Sequence, residues 1–86
     1  MKILAILLFM LAGNGHVAPL IAPVKFDTVE QCKAFLANPM AVNQGIAAGR
    51  QKFGPVEGVQ AICLPEDRLP QLHQFMIEHN KGREGA

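Results

Sequence analysis

Ten apolar residues in a row, Ile3 to Ala12, follow a single lysine, Lys2, and Gly13-Asn14-Gly15-His16 then breaks the run. A helix crossing the bilayer core needs about 20 apolar residues, roughly twice what this run supplies. A positive start, a short apolar stretch and a tail of small residues instead fit a secretory leader. The expectation is a signal peptide over residues 1–18, with the cut anywhere from 12 to 22. Ala18 and Ala22 each precede a proline and lack a small residue two positions earlier, while Ala12, Gly13 and Gly15 offer other cleavage points. No cysteine directly follows the run, which excludes a lipoprotein anchor. A rival reading keeps the apolar start as an uncleaved membrane anchor, with "GNGHVAPLIAP" as its linker.

Residues 19–86 then form one small domain. Eight basic residues less Lys2 leave seven against seven acidic ones, so the remaining chain is neutral. It offers no electrostatic footprint for nucleic acid or an acidic lipid surface. Trp and Tyr are absent and only five Phe are present, one inside the leader, so base-stacking platforms are few. The expected partner is a protein or an envelope component. Membrane contact is expected only if the N-terminal segment is retained.

Along the domain, Val24 and Phe26 alternate around Lys25 as a short strand. Asp27 with Glu30, or Thr28 with Gln31, offers a capping box for a helix that carries Val29, Cys32, Phe35 and Leu36 on one stripe. Pro39 stops that helix near Ala37, and Asn38 with Pro39 starts a second one. Val42, Ile46 and Phe53 recur at helical spacing, and Gly54-Pro55 ends the element. Gly45 and Gly49 weaken this helix by about 1 kcal/mol each relative to alanine, so packing has to hold it.

"VQAICLP" reads as a second strand, with Val59, Ala61 and Cys63 on one face and Gln60, Ile62 and Leu64 on the other. A final helix is expected from about Pro70 to Lys81, with Leu69, Leu72, Phe75, Met76 and His79 inward, Gly82 as its cap and Arg83–Ala86 frayed. The expected fold is therefore a helix-rich α+β domain of order β-α-α-β-α. It has a two-stranded sheet and one disulfide, and a signal peptide precedes it.

Cys32 and Cys63 are the only cysteines. One lies on the inward face of a helix and the other on one face of a strand. In a chain with an export signal, such a pair is most simply a disulfide. Closing a loop of about thirty residues would stabilise the domain by roughly 3–4 kcal/mol. A redox couple would need nearby thiols of lowered pKa, as in C-x-x-C. A zinc site would need ligands at short paired spacing. His73 and His79 are six apart and point about 120° away from each other on a helix.

Catalysis finds no set of groups either. The chain has no serine, its one threonine is better placed as a cap, and Glu66-Asp67 marks a helix start. No catalytic residue, cofactor or metal is expected. Ala41, Gly45 and Gly49, four apart, let another backbone approach closely. The segment is too polar to insert in a membrane, so the approaching element is either part of the same domain or a partner's helix.

"FDTVEQCKA" (residues 26–34) followed by "AICLP" (residues 61–65) resembles a class of small exported bacterial and phage-encoded proteins. These have a signal peptide, a strand, a helix with one cysteine and a second strand ending in C-[VL]-P. The resemblance reaches only to Pro65. It implies a bacterial or phage origin and an exported location, and the class brings no assigned activity. The reading is thus an exported, periplasmic or extracellular, non-enzymatic protein- or envelope-binding module. Its alternative is an inner-membrane-tethered protein that modulates an envelope process such as phage lysis or exclusion.

Overall fold

The structure, a computed structural model, describes residues 1–84. The chain runs β1 (Ile3–Leu11), β2 (Val17–Phe26), α1 (Val29–Leu36), α2 (Pro39–Phe53), β3 (Val56–Pro65), a 3-10 turn (Glu66–Arg68) and α3 (Leu69–Glu84). The three strands form one antiparallel sheet in the order β2-β1-β3.

This corrects the expected β-α-α-β-α order and its two-stranded sheet. The residues expected as a leader, outside the fold, form its central strand. Ile3, Leu4, Ala5, Ile6, Leu7 and Phe9 are all buried, and outside β1 the buried hydrophobics among the described residues are Cys32 and Met76. The physical reason is that a strand covered on both faces needs no polar alternation, so it reads as an uninterrupted apolar run. The five large side chains among those six contribute on the order of 10 kcal/mol of gross burial, as much as the whole net stability of a small domain.

Residues of β1 alternate between the two faces. Ile3 and Ala5 pack with Cys32, Phe35 and Leu36 under α1. Leu7 and Phe9 continue the same face under α2, where they meet Gly45 and Gly49. A Cβ built on Gly45 would stand 2.5 Å from Leu7 Cδ1, and one on Gly49 would stand 2.1–2.6 Å from three Phe9 ring carbons. The small-residue stripe is thus occupied from within the domain, by β1. Phe9 also packs its ring on Phe53, with centroids 5.5 Å apart.

The hairpin between β1 and β2 turns through Gly13 and Gly15, both at positive φ (95° and 69°). Between Leu4 and Ile6 the β1–β2 register slips by two residues, which places the Ala22–Val24 segment of β2 opposite Ala5. β2 is thus longer than the expected Val24–Phe26 segment and carries both Pro19 and Pro23. α3 closes on β2: the Asn80 side chain accepts from the Val17 N–H (2.8 Å) and donates to the Val17 carbonyl (3.2 Å).

The helix starts agree closely with the sequence. Thr28 is the N-cap of α1, its Oγ1 accepting from the Gln31 N–H at 3.2 Å. Asn38 caps α2 by accepting from Met40 N–H at 3.0 Å, and α2 is helical throughout residues 39–53 before Gly54 turns at φ 83°. α3 differs from expectation in two respects. It continues through Gly82 to Glu84 rather than being capped there. Phe75 is 62% exposed, whereas Met76 is buried. The expected fraying of Arg83–Ala86 falls partly at residues 85–86, outside the described residues.

Candidate binding groove at the disulfide

β3 is an outermost strand. Its residues pair with β1 as Ala5↔Cys63, Leu7↔Ala61 and Phe9↔Val59, which puts Val59, Ala61 and Cys63 on the face that α1 and α2 cover. This is the facing the alternation in "VQAICLP" predicts. Cys32, fully buried on α1, is bonded there to Cys63, with their Cα atoms 6.1 Å apart. That separation is within the ordinary range for a bridge. The Cys32 sulfur lies 3.7 Å from the Leu4 carbonyl oxygen, so the bridge rests directly on the central strand. Both cysteines are thereby accounted for as a structural link between α1 and the sheet edge.

Beside this link runs an open groove of about 540 Å³. Val29, Lys33 and Leu36 on α1, with Ala37 at its C-cap, form one wall, and Ala61, Ile62 and Cys63 on β3 form the other. The disulfide joins the two walls, so the groove width is covalently limited. The α1 spacing explains its wall: positions 29, 33, 36 and 37 lie one turn apart on one stripe, adjacent to the stripe that buries Cys32. Val29 and Ala37 are exposed at this wall, and Lys33 brings one positive charge to it. Among the described residues Lys33 makes no ion pair.

The two sheet edges are built differently. β2 carries Pro19 and Pro23 and a two-residue slip in register, features that keep other strands from adding to an edge. β3 has no proline from Val56 to Leu64, and Glu57 is its one charged residue. Its β1 register slips once, between Met10 and Leu11, at the end away from the groove. Alternate residues of an edge strand turn N–H and C=O groups outward without a partner strand. The groove therefore combines apolar contacts, one cation and a row of main-chain donors and acceptors.

A second depression of about 420 Å³ lies between the sheet and α1–α2, lined by Ala5, Leu7, Leu20, Ala22, Val42 and Gly45 among others. Gln44 is the one polar side chain in its lining. It is the space left where small residues of strand and helix face each other. It offers little hydrogen-bonding capacity to orient a ligand.

Charged side chains elsewhere stabilise the end of the sheet. Lys2 pairs with Asp27, and Lys25 pairs with Glu66. The hydrogen bond and charge from Lys2 hold the Asp27 carboxyl below its ordinary value, and Lys25 does the same for Glu66. The Glu66 N–H also donates to the Lys2 carbonyl at 2.9 Å, tying the start of the 3-10 turn to the start of β1. Glu66 and Asp67 thus open the turn that leads into α3.

The histidines do not converge on each other. His73 is exposed, while His79 Nε2 donates to the Gly15 carbonyl at 3.2 Å. His79 also stacks on Phe75, with ring centroids 6.3 Å apart. Among the described residues no group of three His, Cys, Asp or Glu side chains is placed to hold a metal ion, and no helix is long and apolar enough to cross a membrane.

Sequence reasoning placed Cys32, Cys63 and their facing correctly. It missed Val29 and Lys33 as groove wall, because helical spacing put Val29 on the inward stripe with Cys32, whereas Val29 is exposed beside β3. Comparisons with protein-family models, curated proteins and solved structures give no match to this chain.

Proposed function

We propose that this is a non-enzymatic protein-binding module that works in an oxidising compartment outside the cytoplasm, periplasmic or extracellular. The observation that carries the reading is the α1–β3 groove, with an exposed strand edge on one side and a disulfide joining its walls. A bridge of this kind is compatible with export, since such bonds persist where the surroundings are oxidising. The one threonine is engaged as a helix cap and the chain has no serine, so the groove holds no hydroxyl nucleophile.

The protein works with β1 in place. Removing residues 1–18 would take the whole of β1 and the first two residues of β2, and with them most of the core. The tethered alternative would withdraw the same strand into a bilayer, and no separate observation favours it.

The test is site-specific photo-crosslinking in the envelope of an expressing bacterium, with the probe at Ala61 in the groove or at Gln74 on the exposed side of α3. The reading expects oxidised protein in the envelope and protein adducts from position 61 that position 74 does not give. Fully reduced protein confined to the cytoplasm, or equal adducts from both positions, would overturn it.

A further inference from the structure

Resting on the protein-binding reading, we propose that the outer edge of β3 accepts an extended segment of a partner protein as a fourth strand. An acidic side chain of that segment is set against Lys33. Three observations converge on this occupant. First, β3 is a ten-residue outermost strand without proline before its last position, whereas the opposite edge carries two prolines and a slip in register. An edge of that kind is a template for strand addition.

Second, the groove lies between that edge and α1, where alternate side chains of an added strand would project. Val29, Leu36 and Ala37 offer apolar contacts there. Third, the charge in the groove is positive and has no partner among the described residues, so an acidic residue complements it. The Cys32–Cys63 bond keeps α1 at a fixed distance from the edge, so the site is formed before the strand arrives. A preformed site lowers the ordering cost of binding.

The mode uses main-chain hydrogen bonds for affinity and the groove for selection. A side-chain-only mode would not need the peptide's N–H groups. The experiment titrates the ¹⁵N-labelled full chain with a short peptide alternating threonine and valine around one glutamate. A second peptide is the same sequence N-methylated at alternate positions, and a third replaces the glutamate with lysine.

The expected result is amide shifts and slowed exchange along Val56–Leu64 with the first peptide. N-methylation should weaken binding by roughly ten-fold or more, the loss of a few hydrogen bonds. Lys33→Glu should weaken the glutamate peptide about three- to ten-fold and improve the lysine peptide by a similar factor. Equal binding of the N-methylated peptide overturns the proposal, and so do shifts confined to β2 or to the depression beneath α2. A dimer by light scattering whose contact maps to β3 also overturns it, because a second copy then holds the edge. If photo-crosslinks form from position 61 while none of these peptide effects appears, the binding module stands and strand addition falls.

Discussion

Replacing Gly49 with alanine separates two ideas about the N-terminal run, because its sign depends on whether Phe9 is there. On a helix with an open face, Gly→Ala stabilises by about 1 kcal/mol through backbone entropy. Here the new Cβ would stand 2.1–2.6 Å from three carbons of the Phe9 ring. The ring is fully buried and backed by Phe53, so it cannot swing aside. Overpacking of this kind costs about 1–3 kcal/mol, and the steepness of the contact places it at the upper end.

The net expectation for Gly49→Ala is a loss of about 1–2 kcal/mol, or roughly 5–10 °C in Tm. Gly45→Ala is the internal control. Its Cβ meets only the terminal Leu7 Cδ1 at 2.5 Å, and the next atom is 3.8 Å away. A rotamer adjustment absorbs that contact, and the change should come out within about 0.5 kcal/mol of neutral. Urea unfolding followed by circular dichroism measures both.

A Phe9→Leu/Gly49→Ala double-mutant cycle should show coupling of about 1 kcal/mol or more, since the smaller side chain makes room for the new methyl. If both glycine variants stabilise by about 1 kcal/mol, and Phe9→Leu leaves that gain unchanged, then β1 does not lie under α2. The packing argument would then be refuted.

Other perturbations have equally definite expectations. Cys32→Ala paired with Cys63→Ala should lower stability by about 3–4 kcal/mol, the chain-entropy value for cysteines 31 residues apart, seen as a lower urea midpoint for the double variant than for the oxidised chain. Asn80→Ala removes the paired hydrogen bonds to Val17 and should cost about 1–2 kcal/mol, with faster amide exchange at the start of β2. Asp27 and Glu66 have folded-state pKa values below their unfolded ones. The stability they add is therefore complete above the ordinary carboxylate range and is lost as pH falls through their folded values. The urea midpoint should hold level from pH 7 to about 5 and then fall, and Lys2→Gln should flatten the part of that slope due to Asp27. Met76→Ala should cost about 2–5 kcal/mol, whereas Phe75→Ala, three-fifths exposed on the same helix, should stay within about 1 kcal/mol by thermal melts.

Local signals in the chain were legible where their cause is local. Asn38 and Gly54 mark helix ends because capping depends on residues a few positions apart, and the structure uses both; of the two caps the sequence offers for α1, Asp27 and Thr28, it uses Thr28. The facing of Cys63 followed from period-two alternation, and the inward Cys32 from helical spacing. The N-terminal run was different. Ten apolar residues followed by a glycine-rich break fit both a leader and a doubly covered strand, and the strand use rests on long-range pairing with β2 and β3 that no local signal carries.

Two clues to the strand were present in residues 1–54. Gly45 and Gly49 needed something to approach α2 closely, and Gly13-Asn14-Gly15 followed by Val17 and Leu20 suits a hairpin. The groove depended on the same missing strand. With β1 in the centre, the edge that β3 leaves open lies beside α1, and Val29 and Lys33 stand exposed next to it.

The most direct test is peptide-resolved hydrogen exchange by mass spectrometry on the folded, oxidised protein recovered from the envelope of an expressing bacterium. Peptides covering Ile3–Leu11 should be present and be the slowest to exchange, opening only with global unfolding. A folded, disulfide-bonded chain beginning between residues 13 and 23, or one whose first eleven residues exchange as fast as an unstructured tail, would contradict it.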